Sequence, residues 1–117
     1  MPTEFQISFI IPTYNEEAYI RDVLNSIHQF AQNWKFEVIL ADNGSTDRTI
    51  LIAEKAGAIV LQNADLTIAG LRNMGAGAAK GPVLVFLDGD VLLTDTWQEN
   101  FPRIWEELVS QNKKLVT

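Results

Sequence analysis

A chain of 117 residues has room for one domain with a sizeable core, and 47% apolar against 21% charged residues excludes a disordered chain. A net charge of −6, with only nine Lys plus Arg, argues against a nucleic-acid-binding surface, and the lack of cysteine excludes disulfides and thiolate metal sites. No apolar run approaches the roughly 20 residues of a membrane span, and residues 1–6 lack the basic and apolar regions of a signal peptide. A cytoplasmic protein is expected, with peripheral contact at the inner face of a membrane compatible with that.

Residues 6–11 read as a first strand, stopped by Pro12, which has no N–H to give a ladder. Residues 13–17 form a loop into a helix, with Asn15 as its cap and two Glu facing the positive end of the helix dipole. From about residue 17 to 33, the positions Ile20, Val23, Leu24, Ile27, Phe30 and Ala31, continued by Trp34, recur in steps of three and four and mark one apolar face. Residues 36–41 are a second strand, running into the turn formers of residues 42–47; Asp47 caps a helix to about residue 56, closed by Gly57. Residues 58–62 are a short third strand.

A weaker helix follows, from about residue 67 to 79. Its Gly70, Gly75 and Gly77 lower helix propensity and allow close approach to the sheet or a ligand. Residues 83–87 are an unbroken apolar run, the pattern of a strand buried on both faces in a parallel sheet. That strand ends on Asp88-Gly89-Asp90. Thr94-Asp95 then signals the cap of a final helix through Trp97, Phe101, Ile104, Trp105, Leu108 and Val109, kinked or interrupted by Pro102. Residues 114–117 look like the start of another strand.

This alternation predicts an α/β chain: a mostly parallel open sheet with helices on both faces, Rossmann-like. Polar residues collect at the C-terminal ends of the strands, the edge where such sheets bind ligands. The first strand contributes Thr13, Tyr14, Asn15 and Glu16; the second Asp42, Asn43 and Gly44; the fourth Asp88 and Asp90. If the first and fourth strands are neighbours, a crevice opens between them. Two carboxylates one residue apart keep both charges when buried only with a cation between them, most simply Mg or Mn. The alternative is a solvated Asp-Gly-Asp turn. The glycine-rich run at residues 75–81 is no P-loop: it lacks the GK[ST] ending and precedes a strand.

The stretches SFIIPTYNEE, VILADNGSTDRT and AGLRNMGAGAAKGPVLVFLDGDV resemble, in order and spacing, the nucleotide-binding half of family 2 glycosyltransferases, inverting enzymes of the A-type fold. The resemblance covers residue 7 to about 110. It implies a nucleotide-diphosphate-sugar donor, with UDP favoured, and a divalent metal, Mn or Mg. It places Pro12, Thr13, Tyr14 and Glu16 at the nucleoside pocket and Asp42 at the base. The family usually has a second Asp where this chain has Asn43. It sets Arg72 and Asn73 beside base and phosphates, Asp88 at ribose or metal, and Asp90 on the metal as the DXD pair.

Members continue into an acceptor-binding half, where a downstream carboxylate deprotonates the acceptor hydroxyl. Nothing after Asp90 matches it; Asp95, Glu99, Glu106 and Glu107 read as cap and helix-surface residues. The expectation is therefore a truncated domain that binds donor without efficient transfer. It is further expected to form a homodimer through an open sheet edge or the final helix, or to associate with a missing acceptor-binding part. Other readings are a non-catalytic nucleotide-binding module, a nucleotidyltransferase and a structural interaction domain. His28 is expected at the surface, and Trp34, Trp97 and Trp105 in packing roles.

Overall fold

The computed structural model describes residues 5–111 and the backbone of residues 115–116. Strands β1 (Ile7–Thr13), β2 (Phe36–Asp42), β3 (Ile59–Gln62), β4 (Val83–Phe86) and β5 (Leu115–Val116) alternate with helices α1 (Ile20–Phe30), α2 (Thr49–Lys55), α3 (Ile68–Ala78) and α4 (Asp95–Ser110). All pairings are parallel, in the order β3-β2-β1-β4-β5. β1 and β4 are therefore neighbours, and the winding direction reverses between β2 and β4 on either side of β1. Residues 1–4, and Lys114 and Thr117 of the expected last strand, lie outside the described residues.

β1 is buried along its whole length, as a central strand must be. One face carries Ile7, Phe9 and Ile11 with Val38, Leu40, Val83 and Val85, packed under Ile20, Val23, Leu24 and Ile27 of α1, Ala53 of α2 and Phe101 of α4. The other face is covered by α3, which packs on β1 and β2. Gly75 permits this: a Cβ there would lie 2.5 Å from Ile10 Cγ2. Because α3 covers β1 and β2, β4 is fully buried on one face alone. Val83 and Val85 are buried while Leu84 and Phe86 are half-buried, which corrects the expectation of two buried faces.

Pro12 does not stop β1. It pairs in register with Ala41 of β2. Ile10 accepts at its carbonyl from Leu87 N (3.0 Å), on the β4 side, and Pro12, two residues on, faces the same way. Pairing with β4 ends at Ile10–Phe86, so no ladder bond is missed. Nor does Pro102 break α4, which runs through it. Pro102 is exposed, so the carbonyl it orphans, that of Gln98, can turn to water.

Asn15 does not cap α1. It has φ 51, and its Oδ1 accepts from Thr46 N (2.9 Å) and Asp47 N (3.3 Å) in the next loop. The chain instead turns on the Glu16 carbonyl, which accepts from Tyr19 N and Ile20 N, and α1 starts later than the apolar pattern suggests. Trp34 lies past the end of α1, with its ring 5.0 Å from Phe101 and 5.1 Å from Trp105. Trp97 stacks on Phe101 at 4.5 Å, so all three tryptophans fasten α4 to the α1 side of the sheet. His28 is exposed, edge-on to Phe36.

Candidate functional site

The loops after β1 and β2 are knitted into one frame. Asp42, the last residue of β2, is fully buried. Its Oδ1 accepts from Thr13 Oγ1 (2.7 Å) and Ser45 Oγ (2.6 Å), and its Oδ2 from Gly44 N (2.9 Å) and Ser45 N (2.7 Å). Backbone donors of the first loop reach across to the second: Asn15 N to Ser45 Oγ, Glu16 N to Thr49 Oγ1 and Glu17 N to Asp47 Oδ2. Desolvation alone would raise the Asp47 carboxyl; bonds from Thr49 and Glu17 outweigh it and hold the group below its usual value.

This frame forms part of the wall of a hollow of about 100 Å3, lined by Pro12, Thr13, Tyr14, Glu16 and Asn43 together with Ile68 and Leu71 of α3. Five of the residues singled out from sequence thus meet in one place. Asp42 is not among them: its carboxylate is closed off beneath the hollow, with four donors and no exposure. Asn43 lines the hollow, and its amide NH2 donates to the carbonyls of Asn63 and Ala64, at 3.1 Å each.

Beside the hollow, Arg72 of α3 reaches Asp88 across 3.4 Å, both side chains substantially exposed. Arg72 Nε is buried and has no partner. Asp88 and Asp90 flank a turn closed by Val91 N donating to the Asp88 carbonyl (3.1 Å). That turn lies against Glu16. Burial first, then the charges of Asp90, Asp47 and Asp88, raise the Glu16 carboxyl above its ordinary value. Among the described residues no three His, Cys, Asp or Glu side chains are already gathered as a metal cage. The donors present are the exposed oxygens of Asp88 and Asp90. They suit a hard divalent ion that takes its other ligands from water and phosphate.

Several contributors were not singled out from sequence. Ile68 and Leu71 fall in the weaker helix expected from about residue 67 to 79, and their spacing gives no sign of a ligand wall. Ser45 reads as one of the turn formers of residues 42–47, and Thr49 as part of the helix that follows Asp47. Ser26 of α1 accepts from Leu93 N (2.9 Å) and so anchors the segment that follows Asp90; a serine inside an apolar helix stripe was its only signal. No described helix is long and apolar enough to cross a membrane.

Residues 8–111 match the family model described as Glycosyl transferase family 2. Glycosyltransferase AglE of Haloferax volcanii is 35% identical over 100 residues, covering 80% of this chain and 33% of AglE. The crystal structure of Staphylococcus aureus TarS in complex with UDP superposes with a TM-score of 0.71 at 30% identity, over 87% of this chain and 32% of that one. Glucosyl-3-phosphoglycerate synthase of Mycobacterium tuberculosis, in complex with Mn2+, UDP and phosphoglyceric acid, superposes with a TM-score of 0.61 at 30% identity, over 75% and 34% of the two chains. This chain spans about a third of AglE and of these crystallised chains.

Proposed function

The chain belongs to glycosyl transferase family 2, and from that premise we propose that the hollow is the nucleoside end of a donor site for a nucleotide-diphosphate sugar, UDP-linked by preference. The observation that carries this reading is the meeting of the first loop, Asn43 and α3 around one hollow, with the Arg72–Asp88 pair at its side. Tyr14 and Ile68 offer surface for the base and ribose. Arg72, whose side chain is 43% exposed beside Asp88, offers a guanidinium to the diphosphate. The complexes of TarS with UDP and of the mycobacterial synthase with UDP and Mn2+ support the choice of ligand.

Asp42 then acts from below. By holding Thr13, Gly44 and Ser45 it sets the position of Asn43, which takes the base edge. Asp88 and Asp90 would hold the divalent ion, which when bound stabilises charge on the departing nucleoside diphosphate. Glu16, raised first by burial and then by the charges of Asp90, Asp47 and Asp88, is positioned to respond to the ion's charge.

Asp95, Glu99, Glu106 and Glu107 all lie on exposed positions of α4, so none is offered as the base for an acceptor hydroxyl. Transfer is assigned to this site working with acceptor-side groups beyond the described residues, brought by further chain or by association at the sheet edges. Ile59 of edge strand β3 is 43% exposed.

The test is calorimetry of UDP with and without Mn2+, followed by donor hydrolysis and light scattering. Mn2+-dependent UDP binding is expected. Binding indifferent to both the ion and Asp88→Asn/Asp90→Asn would overturn the metal assignment, and no UDP binding at all would overturn the donor site.

A further inference from the structure

Away from the donor hollow, α1 and α2 lie side by side over one face of the sheet and leave a groove of about 210 Å3 between them. Its lining combines apolar Leu24, Leu51, Ile52 and Ala56 with cationic Arg21, Arg48 and Lys55, and Asn25 completes it. Helical spacing puts them there. Arg21 and Leu24 are three apart on α1; Arg48, Leu51 or Ile52, and Lys55 follow in steps of three or four along α2 and the residue preceding it. None of these residues lines the donor hollow.

The clustering runs against the chain's overall charge. Nine Lys and Arg face fifteen Asp and Glu in the whole sequence, yet three of the nine rim this one groove. Arg72–Asp88 is the ion pair found among the described residues, so among those residues Arg21, Arg48 and Lys55 meet no carboxylate partner. Asp22 and Glu54 adjoin them in sequence without pairing, and Asp47 is engaged with Thr49 and Glu17. Like charges around one hollow repel, and Arg21 also sits in the first turn of α1, the positive end of that helix. Such an arrangement is relieved by a multiply charged anion.

We propose that this groove holds the phosphate head of an anionic membrane lipid. Arg21, Arg48 and Lys55 grip the phosphate, for which guanidinium forks are matched in geometry. Leu24, Leu51 and Ile52 lie under the apolar part that follows the head. The apolar part of the lining is what favours a lipid over a free anion: apolar surface adds nothing to the binding of inorganic phosphate. Leu51 is 45% exposed, which leaves apolar surface of the groove open to a lipid.

The test is vesicle flotation of the full chain on phosphatidylcholine alone and on phosphatidylcholine doped with phosphatidate, with inorganic pyrophosphate as soluble competitor. The variants are Arg48→Gln and Arg21→Gln/Lys55→Gln, all at exposed positions, with UDP affinity and melting temperature as controls for fold and donor site. Binding to the doped vesicles alone is expected, weakened about fivefold per cation removed, with UDP affinity unchanged. Equal binding to neutral vesicles, binding untouched by the substitutions, or no vesicle binding would each overturn the proposal. Protection by pyrophosphate without vesicle binding would also overturn it, in favour of a soluble anion. Because the controls read the donor site separately, failure here leaves the donor assignment standing.

Discussion

Glu16 packs against Gly89 so closely that a Cβ on the glycine would lie 2.8 Å from Glu16 Cγ. The glycine between the two aspartates is therefore dictated by a residue more than seventy positions earlier in the chain. Gly89→Ala should push either Glu16 or the turn aside, moving Asp88 and Asp90 relative to the hollow. Mn2+-dependent UDP binding should fall by about tenfold or more, a change of at least ~1.4 kcal/mol. The melting temperature should change little, because Glu16 is only partly buried. Calorimetry beside thermal melts separates the two effects.

Glu16 also predicts a pH dependence. Its folded-state pKa lies above its ordinary value through burial and the charges of Asp90, Asp47 and Asp88. A raised carboxyl binds its proton more tightly when folded, so its contribution favours the fold at low pH and is lost as pH rises through the folded value. Glu16→Gln should therefore melt higher than the parent at neutral pH, with the gap closing below the ordinary carboxyl value. Mn2+ should narrow the same gap in the parent at neutral pH. A constant difference across the range would refute the coupling.

Two glycines of α3 should respond in opposite directions. Gly75→Ala drives a Cβ to 2.5 Å from Ile10 Cγ2 in the buried β1–α3 contact, which should cost about 1–3 kcal/mol despite a better helix former. Gly77 has nothing within 4 Å of the same position, so Gly77→Ala should gain up to about 1 kcal/mol. Urea unfolding of the pair measures both.

Asp42→Ala should destabilise by about 3 kcal/mol or more, because Gly44 N, Ser45 N, Ser45 Oγ and Thr13 Oγ1 lose their common acceptor. Asn43→Asp is the sharper probe of the base edge. It would set a carboxylate against the carbonyls of Asn63 and Ala64, a repulsion worth about 1–3 kcal/mol, and UDP affinity should drop with it. An Asn43→Asp protein with unchanged stability and affinity would show that the amide is not held there.

Asp88→Asn/Asp90→Asn should leave stability within about 0.5 kcal/mol of the parent, since both residues are exposed and the Arg72–Asp88 pair is a surface one. The same double substitution should abolish the Mn2+ dependence of UDP binding. Titration in the presence and absence of the ion reads both.

Strand and helix order were legible from sequence because their signals are local. Steps of three and four from Ile20 to Ala31, turn formers at residues 42–47 and the apolar run before Asp88 each lie within a few residues of the element they mark. The parallel sheet follows from their alternation, and the gathering of polar residues at one sheet edge follows from the sheet. Tertiary structure alone decided what each polar residue does there. Pro12 continues β1 because β4 stops pairing at Ile10, and Asn15 braces the second loop because that loop lies across from it. Asp42 supports the hollow while Asn43, the first residue past β2, lines it, because Asp42 is held by Thr13, Gly44 and Ser45, and only those packed neighbours settle which of the two faces the ligand's side. α3 completes the wall with Ile68 and Leu71, residues whose local pattern is that of any core helix. Local periodicity sets the elements; contacts between residues thirty to seventy positions apart set the site, and no short window of sequence contains both partners.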